Sequence, residues 1–232
     1  MNNIILIKKF FDNQNLPKDW IEVKKKYKLF HSLYKNLSII STYKYDFDKE
    51  CSIFSESKLI FYSKKEKKFI NMEELNLIYK KTKYFNDDVI NGDLFSITDS
   101  CFCTYESKGD NLYLFSSCCG SGTIYFSKLH NEYFFATHTN FLKNIRKYNI
   151  SKLGLSEIIR FGANYSNNTI LKELKKIPFA SVLSLESEKL NLINSYYSKI
   201  KYLVSENYQF NSLFKDVINS YKLDKTSILF SS

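Results

Sequence analysis

Three groups of residues in this 232-residue chain have types and spacings that could do chemistry. The first is the run Ser227-Ile-Leu-Phe230 followed by Ser231 and Ser232. A nucleotide-binding α/β domain runs a buried strand into a small-residue loop whose backbone N–H groups cradle phosphate. Ser231 and Ser232 are therefore the candidate nucleotide-binding residues. The second group is the five thiols, Cys51, Cys101, Cys103, Cys118 and Cys119. Lys108-Gly-Asp-Asn111 reads as a two-residue hairpin turn, a register that sets Cys101 opposite Cys118 and Cys103 opposite Ser116. A metal site joining these thiols to His130 or His138 is one reading. The adjacent Cys118 and Cys119 would point to opposite strand faces, and the spacing fits no zinc pattern. Reduced, buried thiols are the plainer reading, and no metal ligand is assigned. The third group is Gly120 and Gly122, which lie between two strands with no helix N-terminus following, so a tight β connection is expected rather than a phosphate loop. His31 stands alone, and a surface or core role is expected for it. Residues 1–90 hold no Gly-rich loop, paired carboxylates or Ser/His/Asp arrangement, and no catalytic residue is assigned.

The elements that would position these groups follow from periodicity. Ile4 to Phe11 reads as a strand or short helix. Pro17 to Phe30 is basic, with Trp20 and Phe30 as expected core anchors. Residues 37–42, 51–54 and 58–62 read as short strands, and Met72 to Lys81 as a helix. Gly92-Asp-Leu-Phe-Ser-Ile97 opens a strand-rich segment. Cys101 to Glu106, Leu112 to Phe115, Thr123 to Phe126 and Tyr133 to Thr137 read as an antiparallel meander. Ser151 is a good N-cap for a helix to Phe161, with Leu155, Ile158 and Ile159 on one face and Gly162 as its stop. A strand over Ser181 to Leu185, helical spacing over Tyr208 to Tyr221 and the final strand complete the order.

Composition sets outer bounds. Apolar residues make up 44% and aromatics 17%, enough for a packed core. The net charge of +10 rests almost wholly on lysine; Arg146 and Arg160 are the two arginines. Base readout and bidentate phosphate contact favour arginine, so the lysine clusters read as solvated faces and nucleic acid is not expected as a partner. No apolar run reaches the length of a membrane span, and the N-terminal apolar run precedes its charges, the reverse of a signal peptide. The expectation is a cytoplasmic protein without a membrane partner.

The order of segments from residue 91 onward resembles the asparagine synthetase family, in which a glutaminase-type domain precedes an ATP-using synthetase domain. Asn91-Gly-Asp-Leu-Phe95 resembles that family's Gly-(Asp)-Phe-Ala-Phe strand opening. Leu112-Tyr-Leu-Phe-Ser-Ser-Cys-Cys-Gly-Ser-Gly-Thr-Ile-Tyr-Phe126 lies without a gap over Leu-Phe-Leu-Ala-Arg-Asp-Arg-x-Gly-x-Lys-Pro-Leu-Tyr-Tyr. Tyr133-Phe-Phe-Ala-Thr137 resembles Leu-x-Phe-Ala-Ser, and the helix ending at Phe161-Gly162 resembles one ending in Phe-Gly. Thr169-Ile-Leu-Lys-Glu-Leu-Lys-Lys-Ile-Pro178 resembles Thr-Leu-Phe-x-x-Ile-x-x-Leu-Pro. Ser227 to Ser232 resembles the strand opening the Ser-Gly-Gly-x-Asp-Ser pyrophosphate loop. The resemblance implies an α+β fold: an Ntn-hydrolase-like αββα sandwich of two antiparallel sheets over residues 1–200. A truncated beginning of an α/β adenylating domain is implied over residues 201–232.

Departures from the pattern shape the expected function. Family glutaminases use a Cys directly after the initiator Met, whose own α-amine serves as base. Here that position is Asn2, and an internal cysteine cannot supply the amine. The central Arg-Asp pair is replaced by Ser116-Ser117, and the glutamine-binding segments have no counterpart in residues 1–90. The chain is thus similar to the non-hydrolysing β-lactam synthetase and lasso-peptide cyclase type. ATP and Mg2+ are implied for the full-length family enzyme, with none expected for this chain alone. Three readings stand: the N-terminal part of an amide-forming enzyme, a non-catalytic docking module for a separate synthetase subunit or substrate, and an unrelated mixed α+β structural protein. The expected partners are a missing synthetase half or a second copy of the chain.

Overall fold

The computed structural model describes residues 5–10, 15–42, 51–55, 59–79, 85–96, 100–106, 108–117, 122–164, 166–186 and 189–193. The elements run β1 (Ile5–Lys9), α1 (Lys18–Lys26), β2 (Phe30–Tyr34), β3 (Leu37–Ser41), β4 (Cys51–Ser55), β5 (Ile60–Ser63), β6 (Lys68–Asn71), α2 (Met72–Tyr79), α3 (Phe85–Asn91), β7 (Leu94–Ser96), β8 (Phe102–Glu106), β9 (Asn111–Phe115), β10 (Tyr125–Leu129), β11 (Glu132–Ala136), α4 (Lys152–Phe161), β12 (Leu174–Lys176), β13 (Val182–Glu186) and β14 (Lys189–Ile193). The result is a mixed α+β protein, mostly β, in which every strand pair described is antiparallel. Two units divide the chain, one over 1–57 and 99–196, the other containing 58–98. The segment 201–232, with the helix expected over Tyr208 to Tyr221, lies outside the described residues.

The larger unit holds a six-stranded sheet, ordered β12-β10-β11-β1-β3-β2, and a five-stranded sheet, ordered β14-β13-β9-β8-β4. They share one apolar core, an arrangement compatible with a sandwich. Ile5, Ile7, Leu37, Ile39, Tyr133 and Phe135 enter it from the first sheet. Phe54, Cys103, Tyr105, Leu112, Leu114, Leu183 and Leu185 enter from the second. The other face of the six-stranded sheet carries a second cluster, in which Leu6, Ile40, Phe134 and Leu174 pack with Trp20 of α1. Trp20 meets the Phe134 ring edge-on at 5.6 Å and donates its indole N–H to the Phe141 carbonyl at 2.8 Å. Phe30, the second expected anchor, is instead 48% exposed, because it sits on β2 at the sheet's edge.

β1 explains much of this arrangement. It lies between β3 and β11, and all five of its side chains are buried, Lys8 and Lys9 included. Period-two alternation sends Ile5, Ile7 and Lys9 toward the shared core and Leu6 and Lys8 to the opposite face. Each ammonium meets a carboxylate. Lys8 pairs with Glu132 at 2.9 Å and donates to the Asn15 carbonyl at 2.5 Å. Lys9 pairs with Asp110, which also accepts from the Tyr105 hydroxyl and, at 3.1 Å, from the Asn36 side-chain amide. Burial raises the cost of charge on Asp110, yet the donors from Lys9, Tyr105 and Asn36 prevail and hold its carboxyl below the usual range. Burial pulls the Lys9 ammonium down in spite of Asp110.

That network also corrects the hairpin register. Cys103 faces Leu114, not Ser116, and Glu106 faces Asn111, so four residues rather than two form the turn. Asp110 adopts a left-handed φ of 55° and reaches its three donors from inside that longer loop. The two-residue shift is even, so the faces stay as expected and Cys103 still points into the core. The meander is corrected too. β9 belongs to the five-stranded sheet and β10 to the six-stranded one, so the two are not neighbours in one sheet.

The smaller unit holds a three-stranded sheet, ordered β6-β5-β7, with α2 and α3. Asn71 caps α2 reciprocally with Glu74: each backbone N–H meets the other's side-chain oxygen, at 3.0 and 3.2 Å. Gly92, with φ of 75°, ends α3 and turns the chain into β7. No helix among the described residues is long and apolar enough to cross a membrane.

Replacing Asp110 by Ala strands the Lys9 ammonium in the core. The expected loss is about 2–3 kcal/mol in urea unfolding at neutral pH, reduced from the fully buried case because Asp110 is partly exposed. Lys9→Met with Asp110→Leu should restore most of it. Because folding lowers the Asp110 pKa, its contribution is complete above the unfolded value of about 3.9 and fades as pH falls through the lower folded value. Asp110→Asn should therefore flatten the stability profile below about pH 4.

Candidate functional site

The sequence-predicted residues are scattered or fall outside the described part of the chain. Ser231 and Ser232, the candidate nucleotide-binding pair, lie outside it, as do Cys118 and Cys119. Cys101 and Cys103 are buried, reduced and set in the inter-sheet core, where burial pushes the Cys103 thiol well above its ordinary pKa. His130 and His138 are both exposed, so they do not join these buried thiols. Among the described residues no group of three or more His, Cys, Asp or Glu side chains could hold a metal ion. His31 lies on the exposed strand β2, with Nε2 2.7 Å from Ser38 Oγ, and partial burial and Lys24 hold its pKa below the ordinary value. Ser116, which stands where the family pattern has arginine, is a structural tie. Its Oγ lies 2.5 Å from the Pro178 carbonyl and accepts the Ser181 N–H at 2.9 Å.

The described residues do enclose one substantial cleft with a charged wall. It offers about 460 Å3 and is lined by Tyr125 of β10, Leu174 and Lys176 of β12, Asn164, Asn168, Thr169, Ile170 and Leu171 of the loop between α4 and β12, and Phe179. Such a volume is in the range of small-molecule sites. Lys176 is opposite Tyr125 in the β10–β12 pairing and on the same face of β12 as the buried Leu174. Its side chain is 8% exposed. Its ammonium donates to the Asn164 carbonyl and lies 5.2 Å from the centre of the Phe179 ring. Burial lowers its pKa, with Glu157 acting in the opposite sense.

The cleft's frame is a loop that hydrogen-bonds itself and α4. Ser151 caps α4 by accepting the Gly154 N–H at 3.1 Å, and Gly162, with φ of 73°, closes the helix in the left-handed conformation, as the sequence indicated. Asn164 donates to the Gly154 carbonyl at 2.8 Å and to the Glu157 carboxylate at 3.3 Å. Thr169 Oγ1 accepts the Leu171 N–H at 3.0 Å and lies 2.8 Å from the Leu174 carbonyl. The Ser151 N–H donates to the Ile170 carbonyl at 2.7 Å, and Lys175 reaches Asn168 at 2.7 Å. Sequence reasoning missed Lys176 because one lysine in so lysine-rich a chain carries no local mark; its burial depends on strand pairing and on the returning loop.

Several large apolar side chains of α4 are open: Leu153, Leu155, Ile159 and Phe161 are 58%, 40%, 74% and 61% exposed. At Gly154 the helix touches the loop closely: a Cβ added there would stand 1.9 Å from the Thr169 carbonyl oxygen. Gly154→Ala should thus cost about 1–3 kcal/mol through overpacking, against the gain of about 1 kcal/mol that Ala ordinarily brings to a helix interior. A lowered Tm, with the loss largest in amide protection of residues 166–171, is the expected result.

Compared with known proteins, the sequence matches no family model and no curated protein.

Proposed function

We propose that the chain is a glutaminase-like module without hydrolytic chemistry, belonging to an asparagine-synthetase-like, ATP-dependent amide-forming enzyme. The observation that carries the reading is the pair of antiparallel sheets, of six and five strands, sharing one core in the unit that holds most of the resembling segments. In detail the proposed fold is an Ntn-hydrolase-like αββα sandwich, followed from about residue 201 by the start of an adenylating domain. Glutamine hydrolysis is not assigned to it, since Asn2 replaces the required nucleophile and the buried Cys101 and Cys103 have neither exposure nor a free α-amine. Nucleotide binding would begin at Ser231 and Ser232 and need further residues to close a phosphate loop. The chemistry that ATP and Mg2+ supply to such an enzyme is activation of a carboxylate for attack by an amine.

A second reading is a docking module for a separately encoded synthetase subunit. The exposed apolar side chains of α4 favour it: Leu155 and Ile159 share one face, and Leu153 and Phe161 add further open apolar surface on the same short helix. The two readings are compatible.

Affinity capture from the source cell, followed by intact mass measurement and ATP–pyrophosphate exchange with carboxylate substrates, tests both. The expectation is a longer polypeptide or a bound second subunit that exchanges pyrophosphate and releases no ammonia from glutamine. A solitary species of 27.4 kDa without exchange activity would overturn the enzyme assignment.

A further inference from the structure

We infer that the cleft beside α4 binds a small amphipathic carboxylate, with the carboxylate on Lys176 and the apolar body against Ile170, Leu171, Leu174 and Phe179. The inference concerns a pocket that the proposed enzyme assignment does not use, and it stands or falls separately.

The argument begins with how this protein treats buried lysines. Lys8, Lys9 and Lys176 are each at most 8% exposed. The first two have carboxylates in direct contact, Glu132 and Asp110. Lys176 has none within 4 Å among the described residues; its contacts there are the Asn164 carbonyl and the Phe179 ring. A carbonyl dipole and a π face solvate an ammonium without neutralising it, and buried charges in proteins are ordinarily paired. Glu157, the nearest acid to act on it, is itself held by the Asn164 amide at 3.3 Å and the Ser166 N–H at 3.5 Å. The anion that completes the set is therefore supplied from the cleft.

The walls narrow the class of anion. A phosphate or other dianion favours several cations or a guanidinium fork. The lining here has one cation and no arginine, and the neighbouring Lys175 is engaged with Asn168. A single negative charge matches a single ammonium. The remaining polar lining includes Thr123 and Thr139, whose hydroxyl type suits the second oxygen of a carboxylate. Ile170 and Phe179, 40% and 47% exposed, leave apolar surface at the opening for a hydrocarbon or aryl body.

The chain should be titrated by ligand-observed NMR and calorimetry with a series of straight-chain carboxylates from butyrate to decanoate, 4-phenylbutyrate, its neutral amide 4-phenylbutyramide, and inorganic phosphate. The expected result is a Kd below about 1 mM for at least one carboxylate, with the amide and phosphate weaker by about tenfold or more. Lys176→Met should weaken the carboxylate at least about tenfold while Lys176→Arg retains it. Ile170→Glu, at an exposed position that should not disturb folding, sets a competing carboxylate at the opening and should cost a similar factor; it keeps the test decisive should Lys176→Met fail to fold. Leu153→Glu, at an exposed α4 position outside the cleft lining, should change nothing. No carboxylate binding anywhere in the series, equal binding of the amide, tighter binding of phosphate, or carboxylate affinity unchanged in Ile170→Glu would each overturn the assignment.

Discussion

A lysine ammonium leaves water at a cost of several kcal/mol unless a carboxylate meets it, and β1 takes two adjacent ammonium groups into the interior. Because neighbouring strand residues point to opposite faces, the two demands fall on different parts of the molecule. Lys9 calls for Asp110 from the β8–β9 turn of the five-stranded sheet, and Lys8 calls for Glu132 at the start of β11. The Asn36 amide, in the turn between β2 and β3, joins the same carboxylate. One strand thus fixes a hairpin turn, a strand start and a second turn at once. A slip of β1 by one residue would place Ile7 and Lys9 on the wrong faces and orphan both charges, so these ion pairs enforce register as well as stability.

The same economy of charge distinguishes the edge of that sheet. At β12 the chain buries a third lysine, but the loop returning from α4 offers it the Asn164 backbone carbonyl rather than an acid in direct contact. The loop is tied to both neighbours: Thr169 Oγ1 and the Lys176 N–H bind it to β12, while Asn164, the Ser151 N–H and the close contact of Gly154 with the Thr169 carbonyl bind it to α4. Loop and strand are thereby fixed as walls of the cleft beside α4. Gly154 keeps α4 close to the loop, while Leu153, Leu155, Ile159 and Phe161 stand exposed along the same helix.

Much of the framework was legible because it was written in local terms. The short apolar β-type runs of Leu37–Ser41, Phe102–Glu106, Asn111–Phe115 and Val182–Glu186, the Ser151 cap and the Gly162 stop are properties of a few neighbouring residues. What could not be read was set by distant ones. The turn before Asn111 lengthened because Asp110 answers to Lys9, 101 residues away. The expected meander divided between two sheets because β10 found β11 and β12 while β9 found β8 and β13. β2 stayed at an edge and left Phe30 exposed. Of the cleft, the sequence signalled only its supports, since the burial of Lys176 is a consequence of pairing with Tyr125.

The place of β1 between β3 and β11 has a further consequence in time. β1 leaves the ribosome before its partners and can pair early with β3, yet the Ile5 amide meets Thr137 across 132 residues of chain. At ordinary elongation rates that partner arrives about 7 to 26 s later. Throughout that interval one edge of the nascent sheet is open, the condition under which strands join the wrong neighbour. The two lysines that are hardest to bury in the finished protein are, during synthesis, charges on that open edge. They discourage association until Glu132 and Asp110 have been made and the sheet can close over them.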